Sequence, residues 1–177
     1  MHLNPYGEFA VLLAVDLFRN PPATGLELQT RCEDAGLTVD MPGTAADVRM
    51  VADFLERWAA VVDAADDQSR ANQLNALLDA SSSHPRLTNH ADDGWHLHYR
   101  RHGLTVGEQL ASLISVGTAL HLVGRGMNRL GRCALPECRQ PFADVTKNGR
   151  QRYCSHPCAN RDAVRRHRAK SASPLTV

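Results

Sequence analysis

Four cysteines lie within 26 residues of one another: Cys133, Cys138, Cys154 and Cys158, spaced C-x4-C, fifteen residues, then C-x3-C. Zn²⁺ prefers four ligands in a tetrahedron, and two short cysteine pairs on separate turns can supply them. A redox-active thiol pair or an iron–sulfur cluster would use the same residue type, but a thiol pair leaves half of the cluster unexplained. Four sulfur ligands close the coordination sphere, so a zinc ion here is expected to be structural, with no position for a reacting water. Its binding free energy then becomes folding energy, on the order of 10 kcal/mol in small fingers.

The residues between the cysteines suggest how they are positioned. Phe142, Ala143, Asp144 and Val145 run into Lys147-Asn148-Gly149-Arg150, and Asn-Gly is a strong hairpin signal; Gln151, Arg152 and Tyr153 would return to the second pair. Ser155 can cap a helix, and Pro157 fits its first turn. The expectation is a treble-clef-like ββα zinc finger: a cysteine knuckle, a hairpin, and a helix to about Lys170. The last thiolates would sit at the positive end of the helix dipole.

That helix is basic. Arg161, Arg165 and Arg168 recur at i, i+4 and i+7, Arg166 and Lys170 widen the stripe, and the hairpin adds Lys147, Arg150 and Arg152. Arginine forks match phosphate oxygens and guanine edges, so this face fits double-stranded DNA. Single-stranded RNA ranks lower, because Phe142 and Tyr153 offer little stacking surface. The alternative is a solvated helix, or one docked on an acidic protein surface. Asn160 and Arg161 can be read two ways: as base or phosphate contacts, or as a backbone brace and a clamp on Asp144.

Charge supports a division of labour. The 177 residues carry a formal net charge of only +1, but residues 1–124 hold 8 Lys and Arg against 16 Asp and Glu, whereas residues 125–177 hold 12 against 3. An acidic body with a basic tail suits a tail that meets a polyanion.

The runs C-A-L-P-E-C, F-A-D-V-T-K-N-G-R-Q-R-Y-C-S and C-A-N-R-D-A-V-R-R-H-R closely resemble the bacterial CGNR zinc-finger family over roughly residues 130–170. Its name-giving motif falls on Cys158, Ala159, Asn160 and Arg161, with Ala159 where the family has glycine. The body resembles, more loosely, the ABATE domain found upstream of such fingers, in its N-terminal apolar helix with Asp16, Leu17 and Asn20 and in the W-H-L-H-Y strand. The resemblance implies a DNA-binding, stress-induced transcription regulator with four zinc-ligating cysteines.

The body itself, residues 1–124, reads as mainly α with one small β-hairpin, an α+β class. Residues 7–19 form a buried helix ended by Pro21-Pro22. A short helix within loops fits residues 23–43. Val48, Val51, Leu55, Trp58 and Val62 mark an amphipathic helix capped by Thr44, and a second follows near 69–80 with Leu74, Leu77 and Leu78 buried. Trp95, Leu97 and Tyr99 alternate with His96, His98 and Arg100 as a half-buried strand, pairing with residues 85–89 across a turn at 91–94. Thr105 and Glu108 form a capping box for a long helix to about 123.

No signal peptide, and no apolar run of the ~20 residues that a membrane span needs, is evident. The chain reads as cytoplasmic, in reducing surroundings where clustered cysteines bind metal. Cys32 reads as a buried or loop thiol. His96 and His98 share a strand face, more simply an exposed face than a second metal site. No nucleophile motif or phosphate loop suggests an enzyme. A homodimer would present two fingers, and the body could take a small-molecule or protein ligand. The rival reading is a protein-interaction or small-ligand-sensing module whose finger only braces the body; its mark would be a basic stripe packed against the acidic body.

Overall fold

A computed structural model describes residues 7–39, 41–89 and 95–172. In chain order the elements are α1 (Glu8–Arg19), α2 (Gly25–Asp34), α3 (Ala45–Asp63), α4 (Asp67–Ser81), β1 (Arg86–Thr88), β2 (His96–His98), α5 (Val106–Arg125), β3 (Leu130–Arg132), β4 (Pro141–Ala143) and α6 (His156–Ala172). The molecule is mainly helical, with two small antiparallel strand pairs, β1–β2 and β3–β4.

Helix α5 is the centre of the body, packed on α1, α3 and α4. Leu110, Ile114 and Leu122 are buried, as are the small residues Gly107, Ala111 and Gly117. At Gly117 a Cβ would lie 2.2 Å from the Ala10 Cβ, so α1 approaches α5 more closely than any side chain permits. By length and composition α5 is apolar enough to cross a membrane, against the expectation that no stretch is. Most of it is buried against the other helices, which accounts for its apolarity.

Caps fix where α3 and α5 begin. Thr44 and Asp47 form a capping box on α3, and Thr105 and Glu108 form one on α5. Asp47 also accepts from the Gly107 N–H at 3.0 Å, joining the two helix starts. Burial works against its charged form, but bonds from the Thr44 hydroxyl, the Gly107 N–H and Thr105 outweigh it and hold the carboxyl at about 2. Below this layer Trp58 is fully buried and its indole N–H donates to the Thr118 hydroxyl at 3.0 Å. Cys32 is buried in α2, where desolvation pushes its thiol up to about 12.

The β1–β2 pairing matches the expected one, with Leu87 opposite Leu97; the turn expected at 91–94 and the His96 side chain lie outside the described residues. Trp95 and Leu97, expected to face inward, are instead 68% and 48% exposed. Two three-residue strands make a ribbon too small to hold a layer over both faces, so alternation alone does not decide which side is covered.

Candidate metal centre and basic face

The zinc-binding unit starts from β3. Arg132 leads into Cys133, whose N–H donates to the Gln140 carbonyl at 2.9 Å, so the strand pairing continues into the first ligand. The Leu135 carbonyl accepts from the Cys138 N–H at 2.9 Å and turns the chain into a knuckle. Arg139, at φ 53, completes it and sends the chain back as β4. On the other side Ser155 caps α6, its hydroxyl accepting from the Cys158 N–H at 3.4 Å. Cys154 therefore precedes the helix and Cys158 lies in its first turn.

The knuckle connects the two strands of the hairpin, β3 and β4, which pair from Leu130↔Ala143 to Arg132↔Pro141. This corrects the expectation that residues 142–145 pair with 151–153. The Asn148-Gly149 turn is present, but Asp144 closes it through its side chain. Its carboxylate accepts from the Thr146 and Gln151 N–H groups, each at 2.9 Å, and lies 3.5 Å from the Arg129 guanidinium. Those bonds occupy the backbone donors that a strand would have used. Gly149 has φ 65, so the turn favours glycine, and a Cβ there would lie 2.7 Å from the Arg129 Cζ and displace the guanidinium.

The four thiol sulfurs all lie within 4.8 Å of one another. Cys138 and Cys154 are 3.5 Å apart, and Cys154 and Cys158 are 3.7 Å apart. Zn–S bonds of about 2.3 Å give a tetrahedron with edges near ~3.8 Å, so the donor set fits Zn²⁺. Cys133 and Leu135 are fully buried beneath it. Burial and the neighbouring sulfurs push the Cys154 thiol up to about 12, while the Ser155 hydroxyl draws Cys158 down. A bound dication supplies the charge that ionises such a cluster.

The model of the CGNR zinc finger family matches residues 129–171. This unit is a CGNR zinc finger. No curated protein matches the chain. Its four cysteines lie within metal-binding distance of one another and suit a zinc ion.

The CGNR finger is braced against the body. Leu130 and Ala143 join the body's hydrophobic core. Arg132 makes a two-pronged bond to Asp63 at 2.8 and 2.7 Å, and its guanidinium lies 5.4 Å from the Phe18 ring centre. Arg125 reaches Glu8 at 2.7 Å and the Val145 carbonyl at 3.1 Å. From the body, Arg19 donates to the Pro141 and Cys154 carbonyls. Helix α6 does not lie along any body helix among the described residues.

The residues expected to contact nucleic acid fall into two groups. Lys147, Arg150, Asn160, Arg161 and Arg168 are exposed, and their side chains make no hydrogen bond or ion pair among the described residues. Arg152 is exposed too, 5.9 Å from the Tyr153 ring centre. Arg165 and Arg166 instead pair with buried Asp162 at 2.6 and 2.9 Å, and the same carboxylate accepts from the Tyr153 hydroxyl at 2.5 Å. Those bonds hold the Asp162 carboxyl below the usual range, Tyr153 contributing most. The Lys170 side chain is outside the described residues. Arg161 does not clamp Asp144, which belongs to Arg129, and Asn160 does not brace the knuckle backbone.

Sequence reasoning missed Arg19 and Asp162. Asp162 lies three and four residues before two arginines, a spacing that signals an ion pair on one helix face. Arg19 precedes its Cys154 partner by 135 residues, and no local pattern announces that contact.

Proposed function

We propose that this chain is a DNA-binding transcription regulator, non-catalytic and cytoplasmic, whose CGNR finger grips duplex DNA. The observation that carries the reading is the exposure of these cations, Arg161 and Arg168 on α6 and Lys147 and Arg150 in the Asn148-Gly149 turn. Helix α6 has no extended packing on a body helix among the described residues, whereas the rival reading, a protein-interaction or small-ligand-sensing module with a purely structural finger, calls for a basic stripe laid on acidic body residues. The arginines that do neutralise body carboxylates, Arg125 and Arg132, lie outside this stripe. The resemblance of the body to the ABATE domain adds a stress-linked regulatory role to the same reading.

Lys147, Arg150 and Arg152 would supply sequence-independent phosphate contacts, and Arg161 and Arg168, with Asn160, contacts to phosphates and to groove edges alike. Asp162 would hold Arg165 and Arg166 in place as partly neutralised neighbours. A homodimer presenting two fingers would strengthen a weak single grip. The test is fluorescence anisotropy of the zinc-loaded chain on random-sequence duplex at about 50 and 200 mM salt, beside an Arg161→Ala/Arg168→Ala variant. Salt-sensitive binding weakened in the variant supports the reading. An absence of binding at the lower salt, with zinc content intact, overturns it in favour of the module.

A further inference from the structure

Helix α6 carries a carboxylate at the foot of its own basic stripe. Arg161, Arg165 and Arg168 follow one another at i, i+4 and i+7, so Arg165 stands between the other two. Arg161 and Arg168 are exposed and make no ion pair among the described residues, whereas Arg165 Nη2 donates to Asp162 Oδ1 at 2.6 Å. Arg166 Nε donates to Oδ2 of the same carboxylate at 2.9 Å, and the Tyr153 hydroxyl donates to that oxygen at 2.5 Å. One acidic side chain therefore engages two of the helix's arginines, including the middle one of the stripe.

The partners are unequally buried. Asp162 is 5% exposed, while the side chains of Arg165 and Arg166 are 52% and 62% exposed. An ion pair lying wholly in water is worth little and yields readily to another anion. Here the carboxylate lies beneath the surface, and an arginine that leaves strips a buried charge of a donor, which costs more than exchanging two exposed partners. A DNA phosphate competing for Arg165 or Arg166 meets that cost. One that approaches Arg161 or Arg168 does not.

We propose that Asp162 limits how the finger binds duplex DNA, by withholding Arg165 and Arg166 from phosphates and leaving the contact to Arg161, Arg168 and the Asn148-Gly149 turn. The inference rests on the DNA-binding reading above and adds to it a residue that sets strength and selectivity. Phosphate contacts are sequence-independent, so each arginine withheld lowers affinity for every duplex and spares contacts to base edges. Weakening the competing, unspecific mode is one of the two routes to specificity.

The experiment measures binding of the zinc-loaded full chain to random-sequence duplex at about 50 and 200 mM salt, for the unaltered chain, Asp162→Asn and Glu137→Gln. Asparagine keeps the shape and still accepts from Tyr153, but holds no guanidinium by charge. Glu137 is exposed in the knuckle, so its replacement changes the net charge equally without freeing an arginine. Asp162→Asn should bind more tightly at the lower salt and, for each arginine released, lose about threefold more affinity than the unaltered chain when the salt is raised. Glu137→Gln should follow the unaltered chain, and the gain from Asp162→Asn should vanish once Arg165→Ala and Arg166→Ala are added. In the ¹⁵N-labelled unaltered chain, the Arg166 Nε–H signal should hold its position on saturation with duplex while those of Arg161 and Arg168 move, a readout independent of how any variant folds. The inference is overturned if Asp162→Asn, with zinc content intact, binds no more tightly, if Glu137→Gln gains as much, if the gain survives loss of both arginines, or if the Arg166 signal moves with the others. Any of these beside DNA binding by the unaltered chain removes this inference alone; no binding by either the unaltered chain or Asp162→Asn removes the DNA reading with it.

Discussion

Arg19, in the last turn of α1, donates to the carbonyl oxygen of Cys154, a zinc ligand, at 3.3 Å, and with the same Nη2 to the Pro141 carbonyl at 2.7 Å. One body side chain therefore touches the backbone on both sides of the metal cluster. Arg19→Ala should leave zinc stoichiometry at one per chain but speed zinc loss to a chelator several-fold, because the second ligand pair loses its anchor. Equal release rates, followed with a colorimetric zinc indicator, would show that the contact is incidental.

Cys158→Ser removes the ligand in the first turn of α6. The expected result is loss of zinc and of α6 helicity, seen as a partial fall in far-UV circular dichroism, while the signal from α1, α3, α4 and α5 persists. The reason is that most of the core lies in the body, whereas the cysteine cluster has few apolar neighbours of its own. Chelation of the unaltered chain should give the same partial loss.

The acid limb of stability has a named contributor. Asp47 is held at about 2 in the folded chain against an ordinary value of 3.8. Its folded pKa is depressed, so its contribution is present above the unfolded value and is lost as pH falls from 3.8 through about 2. Asp47→Asn should therefore cost stability near neutrality, about 2 kcal/mol for a cap plus the Gly107 bond, and much less near pH 2. Urea midpoints across that range measure it; a cost that stays constant with pH would assign the effect to shape and not to charge.

Gly117→Val would drive a side chain into Ala10 and separate α1 from α5. A loss of about 2 kcal/mol or more is expected, with a thermal midpoint lowered by several degrees. Gly36→Val is the control, since a Cβ at Gly36 meets nothing within 4 Å, although its φ of 76 makes the substitution strained by itself. The two variants therefore separate helix contact from backbone strain.

The paired and unpaired arginines of α6 should behave differently. Arg161→Ala/Arg168→Ala should flatten the salt dependence of DNA binding by about one per lost phosphate contact. Arg165→Ala/Arg166→Ala should change the slope less and lower the finger's thermal stability, because it strips buried Asp162 of its ion-pair partners. Equal slopes for the two double variants would remove this distinction.

The cysteine cluster, most of the helices and the caps at Thr44, Thr105 and Ser155 were legible in the sequence, because each is a local pattern. Cysteine spacing, a Thr three residues before Asp or Glu, and apolar residues at intervals of three and four act within a few turns of chain. Other features depend on residues far apart in the chain. Strand partners within the finger depended on whether a ladder or the Asp144 side chain claimed the backbone donors at Thr146 and Gln151. The exposure of Trp95 and Leu97 depended on what else reached that ribbon. Above all, the basic residues carry the same charge in the sequence, and only folding separated Arg125 and Arg132, spent on body carboxylates, and Arg165 and Arg166, held by Asp162, from Arg161 and Arg168, which face solvent. Charge is a property of the residue, but its availability depends on which opposite charge the fold brings within a few ångströms.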